Sequence, residues 1–91
     1  MLTTLLALLL STPQPAYYAA EPAAAPAKAQ VIAGELVWRC GAAGCVAGKS
    51  GARPVIDCEG LVRAVGRVKS FAVAGAPIAP EQLEKCNARA R

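Results

Sequence analysis

Four cysteines and one Gly-Lys-Ser triplet are the residues of this 91-residue chain whose types and spacing could carry chemistry. The triplet, Gly48-Lys49-Ser50, closes the stretch "CGAAGCVAGKSG" and has the form of the end of a phosphate-binding loop. Such a loop needs a glycine, four residues, then Gly-Lys-Ser/Thr, so that backbone N–H groups curl round phosphate while the lysine reaches the terminal group. The place of the first glycine is taken by Ala43; Gly44 comes one residue too late and Gly41 two too early. The loop should also open a long helix, and "GARP" breaks one instead. Nucleotide binding is not expected. A basic surface turn is, with Lys49 and Arg53 as the contacts for an anion if the backbone N–H groups of the Gly-rich stretch 41–53 form a nest.

The cysteines Cys40, Cys45, Cys58 and Cys86 leave gaps of four, twelve and twenty-seven residues. Four-cysteine zinc sites want close pairs, and only the first gap is short. A thioredoxin-like redox site wants Cys-x-x-Cys at the start of a helix, where the dipole lowers a thiol pKa; Cys40 and Cys45 follow a strand pattern and are further apart. Two disulfides are expected instead. Four cysteines allow three pairings. Cys40–Cys45 is favoured because Gly41 and Gly44 let the chain turn back, and Cys58–Cys86 because both fall on inner faces of expected helices. Pairing of Cys40 and Cys45 separately to the two helices stays open.

The sequence contains no histidine, so neither a Ser-His-acid nor a Cys-His arrangement can be built. Downstream of residue 29 the acids are Glu35, Asp57, Glu59, Glu81 and Glu84. Asp57 and Glu59 are two apart on a helix and do not face each other, while Glu81 and Glu84 share a face of a short terminal helix that reads as solvated. No catalytic residue, metal site or cofactor is expected, and the chain reads as a non-enzyme.

The elements that would position these residues begin after an apolar run, Met1–Leu10, which is too short to span a bilayer and has the length of the core of a secretion signal. No Lys or Arg precedes it. Cleavage after Ala20 or after Ala29 is compatible with the small residues there. Residues 1–29 are thus expected to be signal peptide and an Ala/Pro-rich lead-in, and 30–91 a single small disulfide-bonded domain, periplasmic or secreted and without a transmembrane span. A domain of that size is marginal without covalent staples, and an even cysteine count behind a signal peptide fits them.

Within the domain, "GELVWRC" alternates as a strand with Leu36 and Trp38 on one side, and Cys45–Ala47 is a candidate returning strand. Pro54 opens a helix in which Val55, Cys58, Leu61 or Val62, and Val65 recur at helical spacing, and Gly66 stops it. Residues 67–75 form a strand with Phe71 and Val73 on one face, and Pro80 opens a last helix carrying Leu83 and Cys86. The expected fold is α+β: two or three short antiparallel strands with two helices packed on one face. Its core would be Leu36, Trp38, Cys58, Leu61, Val62, Val65, Phe71, Val73, Ile78, Leu83 and Cys86.

The formal charge is +4, from scattered basic residues. This favours acidic partners without the interleaved exposed aromatics of a specific nucleic-acid binder; Trp38 and Phe71 read as core, and Tyr17 and Tyr18 as leader. The function expected first is a structural or interaction domain of the cell envelope, contacting an envelope protein or acidic surface. An anion- or polyanion-binding module using the 41–53 loop comes second. A small secreted inhibitor, with "GAAGCVAGKSG" as its only candidate binding loop, comes third.

The stretches "VWRCGAAGC", "RPVIDCEGLVRAVG", "VKSFAVAG" and "LEKCN" resemble a family of short exported alphaproteobacterial proteins. Their layout is a signal peptide, Trp-x-Cys, a Gly-rich gap to a second Cys, Arg-Pro, a third Cys and a final Cys-Asn. The resemblance covers about Gly34 to Asn87. It implies export and one small domain; the family has no assigned activity, so it implies no catalytic or binding residues.

Overall fold

The computed structural model describes residues 16–90. In chain order the elements are β1 (Tyr18–Pro22), β2 (Gln30–Ala33), β3 (Leu36–Gly41), β4 (Gly44–Ala47), α1 (Pro54–Val65), β5 (Val68–Val73), β6 (Ala76–Pro77) and α2 (Pro80–Asn87). The strands form one sheet in the order β2-β3-β4-β1-β5-β6, antiparallel at every pairing. Among the described residues the class is α+β with two helices, but the sheet has six strands, not the two or three expected.

The largest correction concerns β1. Residues 18–22 sit between β4 and β5, where Tyr18 pairs with Ala47 on one side and Val73 on the other. The stretch reads as lead-in because its alternation is carried by small residues: Tyr18 and Ala20 point into the core, Ala19 and Glu21 outward. Only Tyr18 gives a strong signal, and one aromatic does not make a periodicity. The fold therefore starts before residue 30, and cleavage after Ala20 or Ala29 would divide or remove a central strand. The apolar run 1–10 lies outside the described residues. The other strands missed, β2 and β6, have only four and two residues.

The core lies between the helices and one face of the sheet. Trp38, Tyr18 and Phe71 are at most 1% exposed. Tyr18 is the hub of this cluster, with ring centroids 5.8 Å from Trp38 and 5.3 Å from Phe71. All eleven expected core residues are buried or packed against the buried cluster, which also takes in Tyr18, Ala20, Cys45, Ala47 and Val68. The Trp38 indole Nε1 has no hydrogen-bond partner among the described residues, a cost that the packing of its ring must exceed.

Val68 is buried together with Phe71, three residues on, although simple alternation puts them on opposite faces. The pairing runs Glu21 to Ser70 and then Pro22 to Val68, so Lys69 is an extra residue. Such a bulge shifts the phase of a strand by one. Beyond β6, no strand among the described residues lies beside the outer edge of Val68. Asn87 fills that place: its side-chain oxygen accepts from the Val68 N–H, and its amide donates to the Val68 carbonyl, each at 2.9 Å. A buried carboxamide thus completes the ladder where the sheet runs out of strand.

Both helices start as expected, at Pro54 and Pro80, and α1 ends at Gly66, whose N–H reaches the Val62 carbonyl. Two glycines have opposite meanings. Gly44, at φ +124°, passes so close to β1 that a Cβ there would lie 2.5 Å from the Ala20 carbonyl oxygen. Gly60, in the middle of α1, would place a Cβ 3.7 Å from that of Ala33, an ordinary contact.

Gly44→Ala is expected to lose about 2–4 kcal/mol through backbone strain and the clash with β1, whereas Gly60→Ala is expected to gain about 1 kcal/mol from helix propensity. Equilibrium denaturation of the oxidised protein measures both; an unchanged midpoint for Gly44→Ala would mean that β1 does not sit where described. Asn87→Ala leaves two buried backbone groups of Val68 unpaired and should cost about 2 kcal/mol or more in the same measurement.

Candidate functional site

The Gly48-Lys49-Ser50 triplet lies between β4 and α1, and its serine hydroxyl is engaged within the chain. The Ser50 hydroxyl donates to Asp57 Oδ2 at 2.6 Å and accepts from the Ala52 N–H at 3.0 Å. The Tyr18 hydroxyl donates to the same carboxylate oxygen at 2.7 Å. Asp57 belongs to the first turn of α1, so one carboxylate joins the central strand, the loop and the helix. Lys49 Nζ lies 5.6 Å from the Tyr17 ring centroid, within cation–π range. Arg53 is the N-cap of α1 without a side-chain capping bond; its carbonyl accepts from Ile56 and Asp57, and its side chain is exposed.

The loop is therefore a clamp closed round a carboxylate. The hydroxyl that a phosphate loop would present is already given to Asp57. Burial, followed by the hydrogen bond donated to Asp57 and the charge of that carboxylate, pushes the Tyr18 hydroxyl well above its ordinary 10.0. A tyrosine held neutral in this way locks the clamp and does not act as a base near neutrality.

The four cysteines form two disulfides. Cys40 and Cys45 face each other across β3 and β4, next to the tip of the hairpin, with Cα atoms 4.0 Å apart. Cys58 and Cys86 join α1 to α2 with Cα atoms 5.8 Å apart, and both are fully buried. No thiol is left free, so these residues offer neither thiolate ligands nor a redox nucleophile. Among the described residues no three metal-ligating side chains come together. Glu59 is 8% exposed, with its carboxylate 4.0 Å from Arg89 Nε. Most of the stretch read as a protruding binding loop, 41–51, is β4 and the turn before it.

A different surface stands out. The sheet face opposite the helices carries exposed Ile32, Val37 and Val46, with Ala19 and Arg39 in the adjoining positions of the ladder. Sequence reading missed this face because it missed β1 and β2, and without them Val37 and Val46 appear as isolated surface residues.

The chain belongs to DUF8200, a family of unknown function whose pattern matches residues 3–88. No curated protein and no solved structure matches it.

The Tyr18 shift has a sign that can be measured. Its pKa is raised in the folded state, so the stabilisation is fully present below the unfolded value of 10.0 and declines as pH rises beyond it. Above that pH, denaturation midpoints should fall with a slope that Tyr18→Phe reduces by about one proton. Tyr18→Phe should also leave the folded protein's tyrosinate absorbance near pH 10 unchanged. Loss of part of that absorbance would place the Tyr18 hydroxyl in water.

Proposed function

We propose that this member of DUF8200 is an exported, non-enzymatic interaction domain that works in the periplasm or outside the cell. The observation that carries the reading is that two disulfides use all four cysteines, since such bonds persist in oxidising compartments and staple domains too small for a large core. The apolar run Met1–Leu10 supports the same destination. The absence of histidine and the internal engagement of Ser50, Asp57 and Tyr18 favour contact with a partner over catalysis. The positive charge makes an acidic envelope partner the natural counterpart.

Export has one constraint that the leader alone does not reveal. Tyr18 is a core residue, so the processed chain must retain it, and a signal peptidase would cut at or before Ala16.

Expression with the native leader in an exporting bacterium, followed by intact-mass measurement of the periplasmic form, tests this. The expected protein begins no later than Tyr17 and gains about 4 Da on reduction. An uncleaved, fully reduced protein would overturn the export reading.

A further inference from the structure

We propose that the edge of β2, free among the described residues, binds an extended acidic segment of a partner protein, which adds to the sheet as a further strand. The proposal rests on the reading of the chain as an interaction domain and supplies that reading with a site and a class of ligand.

The two edges of the sheet differ. β6 is two residues long and ends in Pro77, which has no N–H to offer and is a common guard against strand addition. β2, at the other edge, contains no proline and no charge, and its Ile32 is 74% exposed. The direction of its backbone groups follows from the ladder. Cys40 N–H bonds the Ala29 carbonyl, and the register continues Gln30 to Arg39 and Val31 to Trp38. Hydrogen-bonded pairs alternate in an antiparallel ladder, so residues 29, 31 and 33 face β3, while Gln30 and Ile32 turn both N–H and C=O outward. These are the groups that strand addition uses.

The edge also has a groove beside it, of about 520 Å³, between β2, the preceding segment 25–28 and the last turn of α1. Val31, Ala64, Val65 and Pro26 give its wall aliphatic contacts, and Lys28 is the only ionisable residue among the described ones that line it. Side chains of an added strand alternate between the two faces. Those on the helix side would meet Val31, Ala64 and Val65 in this groove, which suits Val or Ala. A carboxylate elsewhere along the segment would meet Lys28 and the general positive charge of the chain. The ligand is thus an extended segment alternating small apolar and acidic residues.

The test uses the oxidised full chain and labelled peptides of alternating Val and Glu or alternating Val and Lys. Fluorescence anisotropy gives the affinity, and hydrogen exchange read by NMR gives the location. The expected result is saturable binding of the Val-Glu peptide, with slower exchange at the Gln30 and Ile32 amides. Binding of the Val-Lys peptide, of the Lys28→Glu variant and of the Ile32→Pro variant should each be weaker by about tenfold or more. Proline at an outward-facing edge position is compatible with the sheet; should Ile32→Pro fail to fold, Lys28→Glu decides the question with the backbone untouched. Equal affinity for both peptides, or protection at Val37 and Val46 in place of Gln30 and Ile32, would overturn the proposal. So would concentration-dependent self-association that protects the same two amides without peptide, which would make a second copy the occupant. The measurement does not depend on where the cell puts the protein, so its failure leaves the export reading to the intact-mass result.

Discussion

The structure depends on a single tyrosine. The ring of Tyr18 packs against both Trp38 and Phe71, and its hydroxyl reaches the carboxylate that also holds the 48–53 loop against α1. Its strand closes the gap between β4 and β5, which have no contact in the ladder except through β1. Remove that strand and the sheet separates into a three-stranded piece and a β5–β6 hairpin. Neither would bury enough apolar surface alone, since full burial of one large side chain contributes only about 1.5–3 kcal/mol and a two-stranded hairpin is marginal in water.

The covalent staples act at other places. Cys58–Cys86 ties the two helices at the point where they share the core, and the nearby Asn87 docks α2 onto the start of β5. Cys40–Cys45 fixes a hairpin whose next pair, Gly41 and Gly44, leads into a turn pressed against β1. The long-loop bond restricts the unfolded chain more than the short one does, and the short bond sets the register of β3 on β4. The Tyr18–Asp57–Ser50 cluster joins the sheet to α1 without a covalent link. In a domain this small these three local devices reinforce a single core.

What could be read from the sequence follows the strength of the local signals. Proline at 54 and 80 and glycine at 66 mark the helix ends to the residue, because their backbone preferences act regardless of tertiary context. The core residues of β3, β5 and the helices were legible from apolar spacing, and the disulfide pairing from glycine placement and facing. β1 was not legible. Its inward residues are Tyr18 and Ala20, its setting is Ala/Pro-rich, and it follows a stretch with the pattern of a leader. The bulge at Lys69 was also hidden, because an added residue announces itself only through the partner strand. The triplet at 48–50 misleads in the opposite direction: its resemblance to a phosphate loop is real in letters, but the hydroxyl belongs to Asp57.

Among the described residues the same geometry leaves one side of the sheet open and one edge unguarded, and it is there that Ile32, Val37 and Val46 are exposed. All of this requires that residues before Gln30 belong to the folded domain. The most direct measurement compares the chain beginning at Ala16 with the chain beginning at Gln30, both with two disulfides formed, by heteronuclear NMR and thermal unfolding. The account predicts a dispersed spectrum and a cooperative transition for the longer chain, and a collapsed spectrum without a cooperative transition for the shorter one. A shorter chain that folds cooperatively, with the Trp38 indole resonance unshifted, would contradict it.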